Sequence, residues 1–385
     1  MRATISSARG NPPHDSKDGM LEGIMRYVMI SLLSIVILAG ASFVVYELLQ
    51  PSSPNYVLTV ALSSSATSTP STAPLVAYAG TIYHVFFHSL IVYPELAFKD
   101  DKKGKLYKDY MVTQKEFENI LESLYQNQFV LIDIHSIYSV DSEGKVIQKI
   151  PQVPKGKKPL IVSLDDLNYY ESMRGRGFAD KLVLDPSGRV ATEIKTPDGK
   201  TLITRDGDVV PIVDDFVRKH PDFSVGNAKG IIAETGFDGV LGYRTQASSS
   251  DRTSEVSAVK PVIAALKNEG WRFASHSYSH EHAFVSNDIS LQSLIDDSAR
   301  WDNEVKSLVG PTDIFIGPFG QVFKENDPRR SYLISRGFRM FCGVGLDLYL
   351  HYWNDHVVMD RADIDGYRIK FSHKGMVPYF DSADI

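Results

Sequence analysis

The run Lys157–Asp166, KKPLIVSLDD, couples an almost uninterrupted apolar stretch to two adjacent acids. A strand buried on both faces reads as a continuous hydrophobic run, and such strands belong to parallel sheets. The neighbours of this run agree with that reading. TIYHVFFHSLIVY (81–93) is strand-like and precedes a helical pattern, MVTQKEFENILESLYQNQF, opened by a capping box of Thr113 and Glu116. FVLIDIHSIY follows as a strand. Beyond the acids come a helix VVPIVDDFVRKHP, a strand AKGIIAET, a helix SEVSAVKPVIAALKNEG closed by Gly270, and a strand WRFAS. The alternation continues through a helix LQSLIDDSARWDNEVKSLVG, a strand TDIFIGPFG, a helix DPRRSYLISRG and a strand FRMFCGVG. Strands alternating with helices predict an α/β fold, a parallel sheet or (β/α) barrel, over 81–385. One interruption is expected at about 181–208. There the turn signals DPSG and TPDG flank the short alternating segments VATEIK and TLITR, which predicts a β-hairpin insertion.

The barrel reading places chemistry at the C-terminal ends of the strands, which converge on one face. Three groups sit there: Asp165–Asp166 after PLIVSL, His276 and His280 after WRFAS, and Pro318–Phe319 after TDIFIG. Adjacent carboxylates repel unless a metal or a hydrogen-bonded partner holds both ionised; the alternative is a turn whose acid caps the next helix. His276 and His280, four apart, share one face if the segment is a helical turn. Two histidines make half a metal site, and one aspartate would complete three ligands with a position left open for water. The other aspartate would remain off the metal as a base. His282 faces another side of such a turn. Trp301 and Tyr169 are candidates to stack on a sugar ring.

Composition narrows the partners. The 385 residues are 43% hydrophobic and 23% charged, with a formal net charge of -6. No basic excess exists to neutralise phosphates, so nucleic acid is not the expected partner. Cys342 is the sole cysteine, which excludes an intrachain disulfide and a thiolate zinc cage; it reads as a small buried hydrophobe. Residues 27–46, YVMISLLSIVILAGASFVVY, carry no charge and are long enough to span a bilayer as a helix. Arg2, Arg9, Lys17 and Arg26 precede them, so residues 1–26 are expected in the cytoplasm and the remainder outside. Ala39-Gly40-Ala41 resembles a signal-peptidase site, and a cleaved, secreted form is the competing reading. Residues 47–80, rich in Ser, Thr, Pro and Ala, read as a tether.

SLDD, HSYSH and the strand-end Pro-Phe resemble the motifs of the polysaccharide deacetylases, carbohydrate esterase family 4. HSYSH matches the family's second motif in full, whereas SLDDLNYY keeps only the acid pair of the first, with Leu167 in place of Gly. The resemblance implies a distorted (β/α) barrel and assigns Asp165 as base, with Asp166, His276 and His280 as ligands of a divalent metal: zinc, with cobalt or manganese as alternatives. The family's third motif, R-x-P-Y, is replaced by IGPFG, so Ile316 stands at the Arg position and Phe319 at the Tyr position. A backbone N–H survives Tyr-to-Phe, which leaves Phe319 able to stabilise an oxyanion. The base-orienting Arg needs another source, for which Arg244 is the candidate. The family's acid-bearing L-x-H motif is missing too. His88 on the first strand is the candidate acid, with His84 on the same strand face and His373 near the C-terminus as rivals. A closed barrel sets its first and last strands side by side, which makes such a permutation cheap. The resemblance implies removal of N-acetyl groups from an extracellular polysaccharide, peptidoglycan or another GlcNAc-containing glycan, by a single-pass membrane protein of a bacterial envelope. A surface-anchored glycan-binding domain without catalysis, or a related metal-dependent amide or ester hydrolase, are the alternatives.

Overall fold

A computed structural model describes residues 74–385. Seven parallel strands form a ring: β1 (Tyr83–Phe87), β2 (Lys158–Asp165), β3 (Ile231–Glu234), β4 (Arg272–Ser275), β5 (Ile314–Ile316), β6 (Met340–Val344) and β7 (Val357–Asp363). β2 through β7 pair in chain order, β7 pairs with β1, and β1 returns to β2, so the ring closes and leaves no free edge. The barrel is distorted at two seams. The edge of β2 that faces β3 is shared: Phe129–Leu131 pairs with Lys158–Leu160, and β3 takes Ser163–Asp165. Likewise Leu350–Tyr352 runs antiparallel to Val357–Met359, and β1 takes Ala362 and Asp363. Two extra strands thus fill the N-terminal halves of seams that the ring strands close only at their C-terminal ends.

Alternation along each strand sorts its residues. Ile161, Ile231, Ala233, Ala274, Ile314, Ile316, Met340, Cys342, Val357 and Met359 pack together as the apolar filling of the barrel. The opposite faces pack under helices, including α1 (Gln114–Gln126), α2 (Val209–Lys219) and α3 (Arg252–Asn268). α1 starts where expected: the Thr113 N–H donates to Glu116 Oε2 at 2.7 Å and the Glu116 N–H to Thr113 Oγ1 at 3.2 Å. Its buried Phe117, Ile120, Leu121 and Leu124 recur at helical spacing. α3 ends at Gly270, whose φ of +99° is in the left-handed region; a Cβ there would also strike the Asn227 carbonyl oxygen at 2.0 Å.

Four expectations change. The insertion is a three-stranded antiparallel meander, Ala179–Leu184, Val190–Lys195 and Thr201–Thr204, because both turn signals are used as hairpins. The segment expected as tether to residue 80 already forms a strand at Leu75–Ala77, paired with Gln152–Pro154. FVLIDIHSIY contributes only Phe129–Leu131 as a first strand, since Asp133 then caps a 3-10 turn at Ile134–Ser136. The helix expected over 291–310 runs as α4 (Leu291–Trp301), a π-helical stretch Asp302–Lys306 and a last turn Ser307–Val309. The membrane span expected over 27–46 lies outside the described residues; among those described, no helix is long and apolar enough to cross a membrane.

Candidate active site

The C-terminal ends of β2 and β4 bring together Asp166, His276 and His280, with one ligand atom from each lying within 4.8 Å of the others. His276 Nε2 is 3.9 Å from Asp166 Oδ1, and His280 Nε2 is 3.7 Å from Asp166 Oδ2. The His276 Nδ1–H donates to the Ile316 carbonyl at 2.7 Å, which fixes the tautomer and turns the Nε2 lone pair toward the aspartate. Burial pushes the His280 imidazole down to about 4, against the opposing charge of Asp166, so it is neutral at pH 7 and able to ligate. Burial alone would raise the Asp166 carboxyl, but His280 and His276 outweigh it and hold it below the usual range. Two imidazole nitrogens and a carboxylate converging at these distances are a donor set for a divalent cation.

The route to this convergence differs from the helical turn expected for HSYSH. Residues 276–280 form an irregular loop in which Ser277 (φ +59°) and His280 (φ +50°) are left-handed, as are Asp166 (+58°) and Phe319 (+57°). Each such residue costs roughly 1–3 kcal/mol, so surrounding contacts must impose the geometry. Asp297 of α4 is one source. Its carboxylate accepts the Tyr278 N–H at 2.7 Å, the Ser279 N–H at 2.9 Å and the Ser279 hydroxyl at 2.6 Å. The π-helical stretch adds Glu304, whose Oε2 accepts the Tyr278 hydroxyl at 2.8 Å and the Ala247 N–H at 2.6 Å. Tyr170 donates to Asp166 Oδ1 at 2.5 Å. None of these three was foreseen; Asp297 and Glu304 lie on a segment whose sequence reads as an ordinary amphipathic helix.

Asp165 stands beside the triad but belongs to a different network. Arg361 of β7 grips it with two bonds, Nη1 to Oδ1 at 2.7 Å and Nη2 to Oδ2 at 2.9 Å. The same guanidinium donates to Ser163 Oγ at 3.0 Å and the Gly343 carbonyl at 3.2 Å, and lies 4.2 Å over the Phe86 ring. Burial would raise the Asp165 carboxyl, but the Arg361 charge, with His276, outweighs it and holds the group well below the usual range. The guanidinium against the acid is therefore Arg361, and the placement expected for Arg244 is corrected. Arg244 instead pins the loop that leaves the site, donating to the Tyr169 carbonyl at 2.6 Å and to the Asp238 carbonyl, with its Nε 3.4 Å from Glu171. β7 was not read as a strand, although VVMDRAD has the β-branched start of one; its Arg turns inward only because the ring closes through it.

The histidine candidates separate by position. His88, just past β1, acts electrostatically on Asp165, Asp166 and His280, and the seam that brings it there is the β7–β1 pairing of Ala362 with Val85. His84 lies fully buried beneath, bonded through Nε2 to Ser163 Oγ at 3.0 Å, and burial drives its pKa well below the usual value. His373 is exposed and bonds Ser382 in the C-terminal segment. The Phe319 ring lies 4.3 Å from the His280 ring, and its N–H, in the first turn of a 3-10 segment, has no partner within that turn. Trp301 and Tyr169 are buried and so are not open to stack on a sugar; Trp301 Nε1–H donates to the Glu234 carbonyl at 2.9 Å.

No protein-family model matches the sequence, and no curated protein matches it. Solved structures similar to the chain are polysaccharide deacetylases. A Streptococcus pyogenes deacetylase in complex with acetate is 10% identical, with 74% of this chain and 93% of that one covered and a TM-score of 0.40. A de-N-acetylase from Aggregatibacter actinomycetemcomitans is 14% identical over 74% and 96%, with a TM-score of 0.44. A deacetylase domain from Bordetella bronchiseptica is 11% identical over 75% and 98%, with a TM-score of 0.37. Likeness at this level leaves the chemistry to be read from the geometry of the site itself.

Proposed function

We propose that the chain is a metal-dependent deacetylase that hydrolyses N-acetyl groups of an extracellular, GlcNAc-containing polysaccharide. The observation that carries the reading is the division of two adjacent aspartates: Asp166 faces the His276 and His280 imidazoles, while Asp165 is clamped by Arg361. Asp166, His276 and His280 would hold the cation, most simply zinc, given two nitrogen donors and one carboxylate. When bound, that ion supplies Lewis acidity and lowers the pKa of a water at its open position.

The protein's own groups do the rest. Asp165, ionised at neutral pH and oriented by Arg361, takes a proton from the attacking water as its oxygen bonds to the acetamide carbonyl carbon. The N–H of Phe319, whose ring packs against that of His280, donates to the oxygen on which charge develops. His88 gives a proton to the nitrogen as the C–N bond breaks, so the products are acetate and a free amino sugar. The uncharged run 27–46 supports a location outside the membrane, on a tether, with wall glycan as the neighbouring polymer.

The test is acetate release from chitooligosaccharides and from peptidoglycan, with and without chelator, for the parent chain and His276→Ala. Release that stops with chelator and in the variant, together with loss of bound metal, is the expected result. Release indifferent to both, or bound glycan with no acetate, would overturn the reading.

A further inference from the structure

The segment that leaves the acid pair, Leu167–Tyr170, is fixed by its first three residues. Leu167 and Tyr169 are buried in the core, and Asn168 is fully buried as well. The Asn168 Nδ2–H donates to the Thr235 carbonyl at 3.0 Å, and the Thr235 N–H donates back to Asn168 Oδ1 at 3.2 Å. This exchange ties the loop after β2 to the loop after β3. It sets the hydroxyl of half-buried Tyr170 at 2.5 Å from Asp166 Oδ1 and 3.2 Å from Thr235 Oγ1. The Tyr170 ring stacks on Phe237, with centroids 5.0 Å apart and planes 22° from parallel. Tyr170 has one proton to give, and the carboxylate, which has none, takes it. The Thr235 hydroxyl is then the donor in the other bond. A chain of bonds thus runs from Thr235 through Tyr170 to Asp166, each polarising the next.

The bond makes the two oxygens of Asp166 unequal. An O–H···O⁻ bond of this length is charge-assisted and roughly twice as strong as a neutral one, and it draws on the electron density of Oδ1. Oδ2 accepts no hydrogen bond among the described residues and lies 3.7 Å from His280 Nε2. The difference bears on which cation the site suits. A carboxylate that offers both oxygens raises the coordination number and favours manganese and other oxygen-seeking ions. One that offers a single oxygen beside two imidazoles leaves a four-coordinate site with one open position, as zinc prefers.

We infer that Tyr170 is a positioning residue that holds Asp166 as a one-oxygen ligand and thereby sets the cation preference of the site. The inference rests on the reading of Asp166, His276 and His280 as metal ligands and deepens it. Tyr170→Phe in the full-length chain is the test, because it removes the hydroxyl and keeps the ring on Phe237. Zinc and manganese affinities are measured by competition with a chromophoric chelator, and the cobalt-loaded proteins by visible absorption. Zinc affinity should fall about 10–100-fold in the variant while manganese affinity holds. The cobalt spectrum should lose the intense bands of a four-coordinate ion as the second oxygen enters. Thr235→Val removes the bond behind Tyr170 but leaves the one to Asp166, so it should keep the parent's spectrum and preference. Three results would overturn the role of Tyr170 alone: an unchanged cobalt spectrum in Tyr170→Phe, equal losses for zinc and manganese, or a Thr235→Val shift as large as that of Tyr170→Phe. A parent chain that binds none of the three ions would overturn the metal reading and this inference together.

Discussion

Arg361→Met tests the network around the proposed base most directly. Arg361 is fully buried, and Met fills much of the same space without the charge. The substitution strands the Asp165 carboxylate in the barrel, and removing one partner of a buried pair costs about 3–5 kcal/mol. The pH dependence separates this charge effect from lost packing. In the parent, the folded carboxyl is held below its unfolded pKa of about 3.9, so the pair contributes its stability above that value. That contribution is lost only as pH falls through the lower folded value. In the variant burial is opposed only by the weaker charges of His276 and His88 and lifts the folded pKa by about 3 units, the low end of the ~3–5 of fully buried groups. The native state then binds more protons than the unfolded one, and stability falls as pH rises. At about 1.4 kcal/mol per unit, the deficit relative to the parent should be roughly 2–3 kcal/mol smaller at pH 5 than at pH 8. Urea unfolding of both proteins in chelator at the two pH values measures it. A deficit that is equal at pH 5 and pH 8 would refute the reasoning. So would a failure of Asp165→Asn to restore stability in the double variant.

Other perturbations test neighbouring parts of the argument. Asp297→Asn should loosen the loop carrying His276 and His280 and weaken zinc binding about 10–100-fold, as read by competition with a chromophoric chelator; unchanged affinity would remove its positioning role. His88→Gln should lower kcat by about 10²–10⁴ and leave zinc binding intact, whereas loss of zinc would make it a ligand instead. At the far end of the barrel, His135 lies between Asp133 and Asp313, with nitrogens 3.3 and 2.8 Å from their oxygens. Burial lowers its pKa, but the two aspartates outweigh burial and raise it to about 9. Its contribution is therefore complete below about pH 6.5 and lost as pH rises through 9. With the imidazole a third exposed, His135→Gln should remove about 1–2 kcal/mol of stability at pH 6 and almost none at pH 10, measured by urea unfolding; the same loss at both would contradict this.

Much of this molecule is legible in linear patterns because the determining forces are local. The capping box of Thr113 and Glu116, the closure of α3 at Gly270 and the apolar run of β2 each depend on residues within a few positions. The acid pair and the HSYSH histidines are visible for the same reason, since each lies immediately beyond its strand. What could not be read are the contacts that cross the ring. Arg361 reaches Asp165 over a separation of 196 residues, and it does so only because β7 closes against β1 and turns that side chain inward. Arg244, nearer in sequence and equally basic, is drawn to the carbonyls of the loop beside it. Asp297 sits on a helix whose pattern assigns that residue no role, yet it holds the loop between the two histidines in a strained conformation that no helical spacing describes.

By itself, then, the order of residues determined the alternation of strands and helices, the strand-end donors, and which side chains could bind a cation. Only the tertiary structure decided which arginine orients the proposed base, which histidine shares its space, and how His276 and His280 come to face Asp166. The reason is physical. A strand or a helix is specified by neighbours along the chain, whereas a buried charge is satisfied by whichever partner the closed barrel delivers to it.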